Sequence, residues 1–295
     1  MAEILSGREV SDALLDDLKE RCRALKARGV APALAILRVG EEPSDLAYEA
    51  GVMKRAGTID LQVRRVALPR DASREDLLAA IEALNRDDAI HGVLMFRPLP
   101  RALREYEAEI VNALDPRKDV DGMTHFSGAG VYEGNASLGF APCTAEACIA
   151  LTDHYGIDLT GKRATVIGRS LVVGRPLGLM LLHRNATVTL CHTRTRDVAA
   201  RAREADIVFT AAGALGSLTK DCVRPGQTVI DVSVNWDAKK PNARGGLGAT
   251  AGDAVFEEVA PIVSAITPVP GGVGAVTSAV LLSHVVQAAE RLTGL

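Results

Sequence analysis

The sequence predicts an α/β protein built on mainly parallel sheets and divided into two blocks. Three observations point there. Strand-like runs alternate with helix-length amphipathic segments along most of the chain. The composition is 47% hydrophobic with only 3% aromatic residues, so any core is made of Leu, Val, Ile and Ala. Finally, in Gly161–Leu182 a β-branched run (Ala164–Ile167) ends in Gly168-Arg169-Ser170, and an apolar helical pattern starts after Gly174 and Pro176. A strand, a glycine loop and a helix in that order present free backbone N–H groups to a phosphate.

The first block opens with an amphipathic helix over about Ser6–Arg28, where Leu14, Leu15 and Leu18 recur at helical spacing. A strand at Ala33–Val39, a helix near Ser44–Ala56 and a strand at Leu61–Ala67 follow. Ser73 caps a helix reaching Asn85, with Glu75 and Asp76 in its first turn. A buried strand reads at Gly92–Phe96 and is halted by Pro98 and Pro100. The second block starts near Pro142, where Thr144 is expected to cap a helix running to Tyr155. After the glycine loop come strands at Ala186–Cys191, Asp206–Ala211 and Gln227–Val232, with a helix at Asp197–Glu204. This β-α-β-α-β order outlines a nucleotide-binding half-fold. Asn235–Thr250, rich in Gly, Asn and Lys, reads as a surface loop, and an apolar helix from Thr277 to about Leu292 closes the chain.

A net charge of −3 over 295 residues gives no general affinity for polyanions, so neither nucleic acid nor an anionic membrane is an expected partner. No apolar run is read as long enough to span a bilayer, and Met1-Ala2-Glu3 begins no signal peptide. Five scattered cysteines without C-x-x-C spacing suit a reducing compartment. A soluble cytoplasmic protein is the expectation.

Three further segments carry candidate chemistry. Lys118-Asp119-Val120-Asp121-Gly122 places two carboxylates in a turn, able to hold a polar ligand or to cap a loop; no His or Glu cluster accompanies them, so a metal is not expected. Pro268–Gly274 fixes a backbone path while removing side chains, which suits either a flat ligand or a tight lead-in to the last helix. Cys191-His192-Thr193-Arg194 follows a nucleotide-block strand, where hydroxyl and basic groups can meet a ribose 2′-phosphate or form an ordinary polar loop.

Together these segments resemble the methylenetetrahydrofolate dehydrogenase/cyclohydrolase family (FolD type). The resemblance is carried by VGEEPSDLAY at Val39–Tyr48, HGVLMFRPLP at His91–Pro100, KDVDG at Lys118–Gly122 and PCT at Pro142–Thr144. GKRATVIGRSLVVGRP, NATVTLCHTRT at Asn185–Thr195, VRPGQTVIDVSVN at Val223–Asn235 and ITPVPGGVGAVT at Ile266–Thr277 continue it. It implies an α/β folate-side catalytic domain (residues 1–141 plus 275–295), a Rossmann-like NADP domain (142–274), and a cleft between them. It also implies a homodimer formed through the nucleotide domains, tetrahydrofolate derivatives as substrates, and a place in one-carbon metabolism. Gly168, Arg169 and Ser170 match the family's phosphate loop, Thr193 a cofactor-contacting hydroxyl, and Val234 a backbone contact to the cofactor. Arg169 and Arg194 favour NADP over NAD, because no acidic residue ends the Ala186–Cys191 strand to bind a free ribose diol. Tyr48 matches the tyrosine that stacks on the folate, Asp121 the carboxylate that holds the pterin, and Pro270-Gly271-Gly272 the loop lining substrate and nicotinamide.

Two positions depart from the family. Its catalytic lysine, four residues after the tyrosine, is here Val52, and the glutamine that bonds this lysine is Phe96. Lys54, six residues after Tyr48, is turned by roughly 240° around the helix and is not expected to replace it. Replacing both partners together avoids an unsatisfied buried group. Oxidation of the methylene bridge needs two rings held close and no protein acid or base. Hydrolysis of the methenyl group needs activated water and a protonated ring nitrogen. The expectation is therefore a NADP-dependent dehydrogenase with weak or absent cyclohydrolase, the alternative being the fully bifunctional enzyme.

Overall fold

The computed structural model describes residues 2–241 and 246–295. The chain begins with β1 (Glu3–Ile4), α1 (Gly7–Ala27), β2 (Ala33–Val39), α2 (Pro43–Thr58), β3 (Gln62–Leu68), α3 (Arg74–Arg86) and β4 (Gly92–Met95). Helices α4 (Glu107–Asn112), α5 (His125–Glu133) and α6 (Cys143–His154) follow. Next come β5 (Arg163–Ile167), α7 (Gly174–His183), β6 (Thr187–Cys191), α8 (Val198–Glu204), β7 (Ile207–Thr210) and β8 (Thr228–Asp231). The chain ends with β9 (Asn235–Pro241), β10 (Leu247–Ala251), α9 (Phe256–Val259), β11 (Ala265–Ile266) and α10 (Val273–Thr293).

Two compact units form: Asp12–Cys143 with Ser278–Leu295, and Met1–Ser11 with Thr144–Thr277. The first holds a three-stranded parallel sheet in the order β3-β2-β4. The hydrophobic runs of β2 and β4 are almost wholly buried, as expected for parallel strands covered on both faces. Leu77, Ile81 and Leu84, at helical spacing on α3, pack with Leu37, Val93 and Met95. Ser73 caps α3 as expected: its hydroxyl accepts from the Asp76 N–H, and the Asp76 carboxylate takes the Ser73 N–H in return.

The second unit carries a six-stranded parallel sheet in the order β1-β11-β8-β7-β5-β6. Its N-terminal strand differs from the expected division, which gave residues 1–11 to the folate-side block. Glu3 N–H donates to Ser264 O (2.8 Å) and Leu5 N–H to Ile266 O (2.9 Å), extending this sheet by one strand. In both sheets the first strand of the wound core lies between the two that follow it, β2 between β3 and β4, and β5 between β6 and β7. Each therefore has a topological switch point at the carboxyl end of that strand, where open α/β sheets bind ligands.

Other expectations are corrected. The described part of Asn235–Thr250 is not a loop: β9 and β10 pair antiparallel, Asn235 opposite Ala251 and Trp236 opposite Thr250. Half-buried and exposed residues alternate at the start of β9, a two-residue period that the polar composition conceals; residues 242–245 lie outside the described residues. Thr144 sits inside α6, which starts at Cys143, and its carbonyl accepts from the Cys148 thiol (3.3 Å). The last helix starts at Val273, four residues before Thr277. By length and composition α10 is also long and apolar enough to cross a membrane, contrary to the sequence reading. Within the protein, 67% of its most apolar window is buried, and Val280, Leu281, Leu282, Val285 and Val286 belong to the core.

Candidate active site

In the nucleotide unit four parallel strands end in step, with Cys191, Ile167, Thr210 and Asp231 side by side in the register. The residues just beyond them therefore share one sheet edge. Gly168 N–H donates to Cys191 O (2.9 Å), and Ala211 N–H to Ile167 O (2.8 Å). Gly168 has φ +139°, and a Cβ there would collide with the Ala211 carbonyl. A Cβ at Gly174 would likewise strike the Gly168 carbonyl, so the loop closes on bare backbone. Ser170 Oγ accepts from Val173 N–H (3.0 Å) at the start of α7. Arg169 and Arg194 are exposed, and among the described residues neither guanidinium has a hydrogen-bond or ion-pair partner. Thr193 is exposed beside them, while His192 Nδ1 accepts from Arg194 N–H (3.0 Å) and holds the turn. A glycine cradle flanked by unpaired cations and lacking an acidic residue at the end of β6 fits a phosphorylated dinucleotide.

Sequence reasoning missed the residue that shapes the rest of this edge. Asp253, fully buried, accepts from Thr210 Oγ1 (3.0 Å), Ala212 N–H (2.7 Å), Ala214 N–H (2.7 Å), Ser233 Oγ (2.8 Å) and Asn235 Nδ2 (3.1 Å). One carboxylate thus ties the loop after β7 to the loop after β8, which carries Val234, 64% exposed. Beneath it Asp231 accepts from Ala254 N–H (2.8 Å) and Asp253 N–H (3.1 Å). Burial pushes the Asp231 carboxyl up to about 6 against those donors. The signal available was Gly252-Asp253, since a Cβ at Gly252 would collide with the Asp231 carboxylate. Pro270-Gly271-Gly272 precede α10, and Gly7 N–H donates to Gly271 O (2.8 Å), tying this loop to the start of α1.

In the other unit, α2 presents Tyr48, 36% exposed, with its ring edge-on to Phe96 at 6.0 Å and 74°. Val52 on the same helix is 0% exposed and belongs to the core, whereas Lys54 is exposed. Phe96 follows β4, its N–H bonded to Leu37 O (3.0 Å). The Lys118–Gly122 turn divides its charges. Lys118 Nζ donates to the carbonyls of Leu84 (2.9 Å), Asn85 (2.9 Å) and Asp87 (2.8 Å) and finishes α3. Asp119 accepts from Met123 N–H (2.9 Å), Thr124 N–H (2.7 Å) and Ser127 Oγ (2.7 Å) and organises the start of α5.

Asp121, unlike Asp119, has no backbone N–H donor among the described residues. Burial pushes its carboxyl up to about 6, opposed by a hydrogen bond from the Cys143 thiol and the charge of Arg97. The Cys143 thiol also donates to Val120 O (3.2 Å), and His284 Nδ1 lies 2.8 Å from the same carbonyl. Burial first, then Cys143 and Asp121, hold the Tyr48 hydroxyl well above the usual phenol range. Among the described residues no group of three His, Cys, Asp or Glu side chains is arranged to hold a metal ion.

A parallel sheet with a phosphate cradle, joined in one chain to a second α/β unit with a half-buried tyrosine–carboxylate site, defines a two-domain nucleotide-dependent enzyme. The chain belongs to the tetrahydrofolate dehydrogenase/cyclohydrolase family: residues 5–121 match its catalytic domain and residues 142–293 its NAD(P)-binding domain. It is similar to the bifunctional protein FolD of Carboxydothermus hydrogenoformans, with 45% identity over 295 residues covering all of both chains. Among solved structures it resembles the bifunctional enzyme FolD of Campylobacter jejuni, with a TM-score of 0.91, 36% identity and 99% of each chain covered. It also resembles the Trypanosoma brucei N5,N10-methylenetetrahydrofolate dehydrogenase-cyclohydrolase complexed with NADP and an inhibitor. There the TM-score is 0.92 and the identity 30%, covering 100% of this chain and 99% of the other.

Proposed function

We propose that this chain oxidises 5,10-methylenetetrahydrofolate to 5,10-methenyltetrahydrofolate with NADP. The observation that carries this reading is the Gly168–Gly174 cradle beside two unpaired arginines, in a family whose other domain is catalytic toward tetrahydrofolate. NADP, when bound, supplies the hydride acceptor. The protein's part is to hold and align. Gly168 and Ser170 bring bare backbone to the phosphates, Arg169, Thr193 and Arg194 meet the 2′-phosphate, and the main chain at Val234 orients the cofactor. Tyr48 offers its ring to the folate, Asp121 accepts hydrogen bonds from pterin N–H groups, and Pro270-Gly271-Gly272 lines the reacting rings.

The relatives support a second activity, hydrolysis of the methenyl group to 10-formyltetrahydrofolate, because proteins 45% and 43% identical over nearly the whole chain are named as bifunctional. That weighs more than the expectation of weak or absent cyclohydrolase. The narrower reading keeps one observation in its favour: Val52 is buried in the core and Phe96 packs on Tyr48, so the family's lysine–glutamine pair has no polar counterpart at these positions. Both assays on one preparation test the readings. NADPH formation with methenyl hydrolysis above the buffer rate supports the bifunctional enzyme; NADPH formation alone supports the dehydrogenase, and Val52→Lys with Phe96→Gln is then expected to gain hydrolysis. Absence of NADPH formation overturns both. A homodimer belongs to the same reading, supported by the exposed Leu190 on edge strand β6 and Leu182 on α7; sedimentation tests it, as cell fractionation tests the cytoplasmic location.

A further inference from the structure

Thr267 stands where the sheet of the nucleotide unit ends and the Pro268–Gly272 loop begins. It is buried, directly follows β11, and its N–H donates to Val229 O on β8 (3.1 Å). Pro268 and Pro270 bring no N–H, which leaves the loop few backbone donors of its own. The Thr267 hydroxyl makes the next connection between the two strand ends. Its oxygen accepts from Asp231 N–H (2.7 Å) and it donates to Asp231 O (3.4 Å). The far end of the loop closes back on the same side chain: a Cβ on Gly272 would lie 2.9 Å from Thr267 Cβ and 2.6 Å from Pro268 O. Two outer holds complete the loop, Gly7 N–H to Gly271 O (2.8 Å) and Lys240 Nζ to Val269 O (3.4 Å). The proposed reaction gives Thr267 no part.

We infer that Thr267 is a positioning residue: its hydroxyl sets the Pro270-Gly271-Gly272 loop against the main chain at Val234 and so fixes the alignment for hydride transfer. This rests on the proposed dehydrogenase reading, in which both segments face the cofactor. Asp231 lies three residues before Val234, and Thr267 three residues before Pro270. One buried hydrogen bond at the strand ends therefore keeps the two segments in register. Threonine suits the task because its oxygen takes the strand N–H while its methyl limits rotation about χ1. Valine has the same shape and leaves the buried Asp231 N–H without an acceptor; serine keeps the oxygen. Thr267 is buried behind the loop, so it acts on alignment rather than on affinity. Alignment is where the sensitivity lies, since a misplacement of about 1 Å costs a reaction of held partners about 100-fold.

The test compares Thr267→Val with Thr267→Ser in the full chain. Without ligands, amide hydrogen exchange over residues 267–274 is expected to speed up in Thr267→Val and to stay near wild type in Thr267→Ser, with exchange at β5 unchanged in both. With both substrates saturating, single-turnover NADPH formation is expected to slow about tenfold or more in Thr267→Val. The calorimetric Kd values of NADP and tetrahydrofolate should stay within about twofold of wild type, and Thr267→Ser should recover most of the rate. Thr267→Cys, whose sulfur accepts only weakly, is expected to fall between the two and takes the place of the valine variant if that variant does not fold. An unchanged rate, a rate loss matched by an equal loss of NADP affinity, or a serine variant as slow as the valine one overturns the inference. Wild-type protein that binds NADP yet forms no NADPH from methylenetetrahydrofolate fails the proposed function instead. The exchange comparison, made without ligands, then still decides whether Thr267 holds the loop.

Discussion

At the end of β5 the binding edge is made by removing side chains, whereas at the ends of β2 and β4 it is made by burying them. Gly168 and Gly174 leave backbone against backbone, and the nearby arginines stand free in solvent. In the catalytic domain, Phe96 closes on Tyr48, and Asp121 takes a hydrogen bond from Cys143 and feels the charge of Arg97. Both sites sit at a switch point of a parallel sheet, so topology alone does not decide how a site is built. A subtractive site fails through collision and barely responds to pH. A buried side-chain site fails through lost charge and titrates.

The largest effect is expected from Gly168→Ala. The new Cβ meets the Ala211 carbonyl at φ +139°, a conformation costing on the order of 1–3 kcal/mol for an L side chain before the collision is counted. NADP binding by calorimetry is expected to be lost, with tetrahydrofolate binding in the other unit little changed. Gly161→Ala, at a glycine with φ +71° but open space around it, is the control: it carries backbone strain without a collision and should leave NADP binding largely intact. Comparable NADP affinity in both variants would break the subtractive picture.

Asp253→Ala comes next. It leaves buried donors from Thr210, Ala212, Ala214 and Ser233 without an acceptor, at a cost of roughly 3 kcal/mol, visible as a lower Tm and a raised KM for NADP. The contrast sharpens if the KM for the folate stays put.

Asp121→Asn tests the titrating side. Its folded-state pKa of about 6 lies above the ordinary 3.8, so its contribution to stability is fully present below about 3.8 and is lost as pH rises through about 6. At pH 7.5 the asparagine variant, carrying no buried charge, is expected to melt higher than wild type. Activity is expected to run the other way: if ionised Asp121 is the acceptor proposed for the pterin, wild-type kcat/KM for the folate should fall as pH drops below about 6. The variant should lose roughly 10–100-fold at neutral pH. A variant that melts lower and keeps full activity would remove Asp121 from the site.

The same contrast explains what was legible in the sequence. Strand β2 and the Ser73 cap of α3 emerge as read, because local periodicity and capping chemistry determine them. The tight turn from β5 into α7 was readable because its glycines are a local signal. Asp253 was not, since its importance comes from five partners on strand ends and loops as much as 43 residues away. Nor could the turn Lys118–Gly122 say how its carboxylates divide: only folding shows Asp119 filled by backbone and hydroxyl donors while Asp121 meets the Cys143 thiol. The β9–β10 hairpin was hidden by its polar composition, and β1 by pairing with a strand some 260 residues later.

The smallest expected effect belongs to Lys54→Ala, and its smallness decides a point. Lys54 is exposed while Val52, two residues earlier on α2, is wholly buried, so the helix turns this ammonium toward water. Losing an exposed lysine that has no ion pair among the described residues should change stability by no more than about 0.5 kcal/mol, and neither NADPH formation nor methenyl hydrolysis should change measurably. If hydrolysis occurs in wild type and survives in Lys54→Ala, water is activated without a lysine on this helix turn. If Lys54→Ala abolishes hydrolysis and spares the dehydrogenase, α2 must rotate or unwind on binding substrate to bring Lys54 round. The folate site would then be no longer a fixed arrangement of buried side chains, and its contrast with the rigid glycine cradle would become one of mobility.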